Sequence, residues 1–330
     1  VRELGEASLG VRCGMVAHMR RGVLENVDRV SRLAVEETGM GRTQDKVLKN
    51  RLAAERTPGV EDLEPFATTD DEGLVLTERA PYGVIAAITP STNPTESIIN
   101  NGISMVAAGN TVVFNPHPAA RRVSALTVAL LNDAIQKAGG PQNVLTTVIS
   151  PTIETAEQMM DHPMVSLLTV TGGPGVVRAA MSRSKKVIAA GPGNPPVVVD
   201  ETADIPKAAL DIVSGASLDN NIICIDEKVV LAVDTITDRL KTEMRKHGAY
   251  ELNADQVDRI TREVIADPGR RGHEGMANKK YVGKDAAWIA REAIGLSVPE
   301  ETRLLLCDVD RSHPLVWTEQ LMPVLPIARF

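Results

Sequence analysis

Residues 84–114 read VIAAITPSTNPTESIINNGISMVAAGNTVVF, and this stretch decides the fold class. Val84–Ile88 is a short, uncharged, β-branched run of the kind buried on both faces of a sheet. Glu96–Ala107 carries a helical pattern, and Thr111–Phe114 is again strand-like. Strand, helix and strand in this order make a βαβ unit, and the alternation continues outward. Ala119–Ala138 reads as helix, Val144–Ile149 as strand, Ile153–Met160 as helix, Ser166–Val170 as strand and Val176–Ser182 as helix. Lys186–Ala190 and Pro196–Val199 are strand-like around a Gly/Pro turn, and helix Pro206–Ser217 follows. Val229–Val233 then reads as strand, and Thr235–His247 and Asn253–Ala266 as helices, with Asn253 or Asp255 near the second N-cap. Asp267–Asn278 is polar and Gly-rich and predicts an exposed loop, while Arg303–Asp308 and Met322–Ile327 predict later strands. Upstream, residues 6–57 read as helical, and Leu74–Thr77 as a strand after an acidic turn. The fold class is α/β, with parallel sheets covered on both faces.

The chain has 330 residues, which at roughly 150 per domain suggests two domains. Hydrophobic residues make up 43% and charged residues 24%, which excludes disorder as the main state. Lys and Arg number 36 against 43 Asp and Glu, a net charge of −7 that argues against nucleic acid as a partner. No apolar run approaches the roughly 18 residues of a membrane span, so no membrane partner is expected. Both ends read as cut: Val1 opens on a mixed, charged stretch without Met, and Pro323–Phe330 stops inside a strand-like run. Three cysteines, Cys13, Cys224 and Cys307, form no C-x-x-C pair, which points to a reducing compartment.

Cys13 falls in a helical segment and Cys307 in an apolar strand, so both are expected to be buried thiols acting as small hydrophobes. Cys224 differs, because Asp219-Asn220-Asn221 leads from a helix to the cysteine just before a strand. That loop position suits a nucleophile, with a buried hydrophobe as the alternative. Asp226 and Glu227 disfavour a thiolate, leaving Lys228, backbone dipoles or a bound cofactor to activate it. Asn93 precedes Pro94, and spacing alone favours an N-cap over an amide donor to a carbonyl oxygen. Thr171-Gly172-Gly173 links a strand to a helix, where backbone N–H groups can meet a phosphate, although a tight turn explains the glycines equally well. Gly191-Pro192-Gly193 is a rigid turn by default. His117 is boxed by prolines and reads as structural, and no Cys/His cluster suggests a metal.

Taken together, these segments resemble the CoA-acylating branch of the aldehyde dehydrogenase superfamily, which includes the acetaldehyde and propionaldehyde dehydrogenases of bacterial microcompartments. The likeness runs from Glu36-Glu37-Thr38-Gly39-Met40-Gly41 to Thr318-Glu319-Gln320-Leu321-Met322-Pro323-Val324. Its most specific pieces are Thr89–Pro94, Ala189–Pro196 and Asp219–Cys224. The resemblance implies a Rossmann-type cofactor domain (residues 1–66 and 81–200), an oligomerisation arm (67–80) and a C-terminally incomplete catalytic domain (201–330). It makes Cys224 the nucleophile that forms a thiohemiacetal and then a thioester, and Asn93 the oxyanion-hole amide. It places Thr89, Pro90, Asn115, His117, Thr171, Gly172, Gly173 and Gly191 around NAD, and makes Glu319 the glutamate that holds the nicotinamide ribose. CoA is implied as co-substrate.

One departure from the wider superfamily decides the second half of the reaction. Hydrolytic members carry a glutamate base in a Glu-Leu-Gly-Gly segment, and Ala190-Gly191-Pro192-Gly193 stands there in this chain. Without that base the CoA thiol, rather than water, is expected to release the product. The expected reaction is short aldehyde, NAD and CoA to acyl-CoA and NADH; the rivals are release of the free acid, and a non-catalytic binding or scaffold role. Asn115 replaces a lysine common near the adenosine ribose, which leaves NAD against NADP open. Family members continue beyond the point matching Phe330, and some begin with a short helix that targets the microcompartment. The resemblance therefore also implies a homo-oligomer at full length, shell proteins as partners, and a cytoplasmic or microcompartment location.

Overall fold

In the computed structural model, which describes residues 1–270, 273 and 275–330, the chain divides into two compact units. The first comprises residues 1–38 and 46–191, and the second residues 39–45 and 192–330. In the first unit an antiparallel hairpin, β1 (Phe66–Asp70) and β2 (Gly73–Thr77), precedes a five-stranded parallel sheet. That sheet is built from β3 (Val84–Thr89), β4 (Thr111–Pro116), β5 (Leu145–Thr147), β6 (Val165–Thr171) and β7 (Lys186–Ala190), in the order β5-β4-β3-β6-β7.

The two-residue period of β3 assigns its sides. Ile85 and Ala87 pack with Met15, Met19, Ile98, Ile103 and Leu131 from the helices Leu9–Glu25, Pro94–Ala107 and Arg121–Lys137. Ala86 and Ile88 pack with Met159, Leu168, Val170 and Ala180 on the opposite side, beneath helices Ile153–Asp161 and Pro174–Met181. A strand apolar at every position is thus explained by cover on both faces.

The second unit repeats the plan with β8 (Pro196–Val199), β9 (Val229–Ala232), β10 (Ala249–Glu251), β13 (Leu304–Val309) and β14 (Val324–Arg329), parallel in the order β10-β13-β14-β9-β8. Helices Ile205–Ala216 and Asp234–Lys246 cover one side through Ile212, Val213, Leu240 and Met244. Ala254–Val264 and Ala286–Ile294 cover the other through Val257, Ile260 and Ile289. A short antiparallel pair, β11 (Ile265–Asp267) and β12 (Met276–Ala277), completes the unit.

The structure corrects several expectations. Cys13 is exposed: it shares the outward stripe of its helix with Ala17 and Arg21, while Met15, Val16 and Met19 face the core. Cys307 is buried, as its apolar strand requires. Pro196–Val199 pairs with Val229–Ala232 in the second sheet instead of extending the first domain to residue 200. The helix after Asn253 ends at Val264, and its N-terminus is fixed by a reciprocal pair of hydrogen bonds between Asn253 and Gln256. Within the loop expected at 267–278, Met276 and Ala277 pair as a strand, and residues 271, 272 and 274 lie outside the described residues. Among the described residues, no helix is long and apolar enough to cross a membrane.

Candidate active site

In the first unit the strand earliest in the sheet, β3, sits at the centre, with β4 and β5 on one side and β6 and β7 on the other. The chain switches sides between β3 and β6, and ligands of open α/β sheets bind outside the carboxyl ends of strands at such a point. Register brings the sequence candidates to that edge: Ile88 pairs with Asn115 and Val170, Thr89 with Pro116, and Thr171 with Ala190. Thr89 is buried, and its Oγ1 has no hydrogen-bond partner among the described residues. Gly173 stands at the N-cap of Pro174–Met181, and a Cβ added there would meet nothing within 4 Å. An unused hydroxyl and an open helix N-terminus at one sheet edge fit the pyrophosphate of a dinucleotide. Asn115 is buried and its Oδ1 accepts from Thr155 Oγ1 at 2.8 Å. His117 caps the following turn, its Nδ1 accepting from Ala119 N at 3.1 Å. Pro90 and Gly191 close β3 and β7 at the same edge.

Asn93 occupies the N-cap position of helix Pro94–Ala107, but its side chain makes no capping bond. Its Nδ2 donates to Thr92 Oγ1 at 3.2 Å, and its Oδ1 accepts from Lys49 Nζ at 2.6 Å. The spacing argument for a capping side chain therefore fails. Lys49 is paired with buried Glu96 at 3.4 Å. Burial alone would push the Glu96 carboxyl up, but the ammoniums of Lys49 and Lys46 outweigh it and hold the group below its usual value.

In the second unit the Cys224 loop is built on an unusual backbone. Asp219, Asn220 and Asn221 take φ of 47°, 57° and 61°, three left-handed residues in succession without a glycine. Short polar side chains make that turn affordable, because each can bond to nearby backbone. Asp219 N donates to Asp45 Oδ2 at 3.0 Å, and Asp219 Oδ1 accepts from Arg42 N at 2.8 Å. Asn220 Nδ2 donates to Gly283 O at 3.0 Å, and Asn221 Nδ2 to Ala216 O at 2.7 Å. Lys228 is fully buried beneath the loop; its Nζ donates to Asn221 O at 2.6 Å, Ile223 O at 2.9 Å and Asn221 Oδ1.

Cys224 itself is half-buried. Burial pushes its thiol above the ordinary value, the charge of Glu319 adds to the rise, and the Lys228 ammonium opposes it. Burial in turn pulls Lys228 down to about 8. Glu319 is not a solvated surface carboxylate: it is half-buried, and its Oε1 accepts from Gly193 N at 3.0 Å. Gly193 lies against the nucleophile, so that an added Cβ would run into the Cys224 carbonyl oxygen. Gly193 thus passes beside Cys224 with no side chain between them.

The aldehyde dehydrogenase family profile matches residues 3–330. The chain belongs to the aldehyde dehydrogenase family. "Acetaldehyde dehydrogenase (acetylating) EutE" of Escherichia coli (strain K12) is 50% identical over 330 residues, 100% of this chain and 70% of its own length. The structure of Rhodopseudomonas palustris propionaldehyde dehydrogenase with bound CoA and an acylated cysteine is similar with a TM-score of 0.93 at 47% identity, covering 100% of this chain and 74% of that one. A propionaldehyde dehydrogenase from the Clostridium phytofermentans fucose utilisation bacterial microcompartment gives 0.92 at 45%, covering 99% and 73%.

Sequence reasoning overlooks Asp45, Arg42 and Gly283, which hold the nucleophile segment, and Lys49, which holds Asn93. Arg42 and Gly283 contribute only backbone, which no side-chain pattern marks. The inward face of helix Thr43–Arg56 is mostly polar, with Asp45, Lys46, Lys49 and Asn50 buried while Leu48 and Leu52 are exposed, so the apolar pattern of the segment does not point to its lysines.

Proposed function

We propose that the protein is a CoA-acylating aldehyde dehydrogenase that converts acetaldehyde or propionaldehyde, with NAD and CoA, to the acyl-CoA and NADH. The observation that carries this reading is Ala190 at the place of the water-activating glutamate, in a segment whose last residue, Gly193, packs against Cys224. In the reaction the Cys224 thiolate adds to the aldehyde carbonyl, and the Asn93 amide with the Cys224 backbone N–H stabilises the resulting alkoxide. Bound NAD would supply the hydride acceptor for the collapse of the Cys224 alkoxide to a thioester. Glu319, fixed through Gly193 N, is assigned the nicotinamide ribose. Thr89, Pro90, Asn115, His117, Thr171, Gly172, Gly173 and Gly191 are assigned the remainder of the dinucleotide. With Ala190 where hydrolytic enzymes carry their glutamate base, water attacks the thioester slowly, and the CoA thiol takes the acyl group.

The first unit serves as the cofactor domain and the second as the catalytic domain in this reading. The exposed hairpin β1–β2 is the arm of a homo-oligomer, and a location inside a microcompartment, with shell proteins as partners, is in keeping with a structural neighbour that comes from one. The test is NADH formation from propionaldehyde and NAD with and without CoA. Sustained turnover that requires CoA and disappears in Cys224→Ala is expected. Steady CoA-independent turnover would make the enzyme a free-acid producer, and silence under both conditions would leave only a binding role.

A further inference from the structure

Asn93 stands at an N-cap position without capping, so another group must set the direction of its amide. Lys49 Nζ lies 2.6 Å from Asn93 Oδ1. An ammonium has donors only, so the amide atom facing it has to be the oxygen. The NH₂ end is thereby turned the other way, where Thr92 Oγ1 accepts one N–H at 3.2 Å and the second remains to be donated. Lys49 is held in its turn: it is buried, and Glu96 Oε1 lies 3.4 Å from its Nζ. Thr95 Oγ1 donates to the other Glu96 oxygen at 3.0 Å.

We propose that Lys49, anchored by Glu96, is a positioning residue for the dehydrogenase reaction. It fixes the Asn93 amide with Nδ2 as the outward donor, and its charge on Oδ1 strengthens the N–H that meets the alkoxide. This rests on the assignment of Asn93 as oxyanion donor. Lys49 acts through Asn93, so its effect must vanish when the amide is gone.

The experiment is a double-mutant cycle read by single-turnover NADH formation. Lys49→Met combined with Glu96→Gln keeps both volumes and removes the two charges of the buried pair together. In the wild-type background this swap should slow NADH formation about 10–100-fold, short of the roughly 10²–10³ that loss of an oxyanion donor costs. KM for NAD should stay within about twofold of wild type, a split that a general loss of structure would not give. In the Asn93→Ala background the same swap should cost less than about twofold. An equal loss in both backgrounds, or a wild-type rate in the swapped enzyme, overturns the inference and leaves Asn93 in place. A wild-type rate in Asn93→Ala overturns the Asn93 assignment, and the inference with it. Should the swap fail to fold, Lys49→Arg, which keeps the charge and alters the donor geometry, runs through the same cycle.

Discussion

The three thiols of the chain sit in three different environments. Cys307 is buried in β13 and pushed up to about 12, which makes it inert in the native protein. Cys13 is exposed, so alkylation of the whole protein reports on it as well as on the nucleophile. In a Cys13→Ser background, iodoacetamide should read Cys224 alone. Its thiol lies above the ordinary value, with burial the larger cause and Glu319 the next. The alkylation rate of the ligand-free protein should therefore still be climbing at pH 9, where an ordinary thiol is levelling off. Glu319→Gln removes a negative charge that penalises the thiolate, so the curve should move to lower pH and alkylation at pH 8 should run roughly two- to tenfold faster. Lys228→Met removes the opposing ammonium and should move it the other way. If Glu319→Gln leaves the pH–rate curve where it was, the carboxylate does not govern the nucleophile. The sign also bears on catalysis, because a nicotinamide cation arriving near Glu319 would neutralise the same penalty.

At the scale of elements, the left-handed turn Asp219–Asn221 is the costly piece of the Cys224 loop, and its cost can be measured. A left-handed residue with a Cβ is disfavoured by about 1–2 kcal/mol, which asparagine offsets by bonding to backbone. Asn220→Ala loses the bond to Gly283 O, worth about 1 kcal/mol, and keeps the Cβ strain. Asn220→Gly loses the same bond but relieves the strain. Thermal unfolding should therefore rank the alanine variant lowest, below both wild type and the glycine variant. An alanine variant as stable as the glycine one would mean that the φ of 57° carries no strain. This turn also shows what a sequence can announce. Asp219-Asn220-Asn221 is contiguous, so its chemistry is visible as a local motif, as are Thr89–Pro94 and the alternation from Val84 onward. The supports are not contiguous: Lys49 lies 44 residues before Asn93, Glu319 126 after Gly193 and Asp45 174 before Asp219. No periodicity links residues so far apart, so only the folded chain reveals them. Likewise β1, Phe66-Ala67-Thr68-Thr69-Asp70, is exposed along its whole length and offers no buried-face alternation to read.

At the scale of the whole molecule, that hairpin is the feature the chain does not explain by itself. A two-stranded hairpin is marginal in water unless a hydrophobic face is covered. β1 and β2 nevertheless pair over five residues each, with Phe66, Leu74, Val75 and Leu76 all exposed. Exposed apolar side chains concentrated on one short element mark an interaction surface. Leu74 and Leu76 lie on one face of β2 by the two-residue period, so both can enter a single interface. Burying a leucine is worth about 1.5–3 kcal/mol, and two of them about 3–6 kcal/mol, or roughly 10²–10⁴ in a dissociation constant. Leu74→Lys with Leu76→Lys should accordingly convert an assembly held by this arm into a smaller species in sedimentation at micromolar concentration. The helix and sheet content of the two units should be unchanged in circular dichroism, because neither leucine belongs to a core cluster. An unaltered sedimentation coefficient in the doubly charged variant would rule the hairpin out as the arm. Loss of secondary structure would show instead that these leucines complete the fold of their own chain.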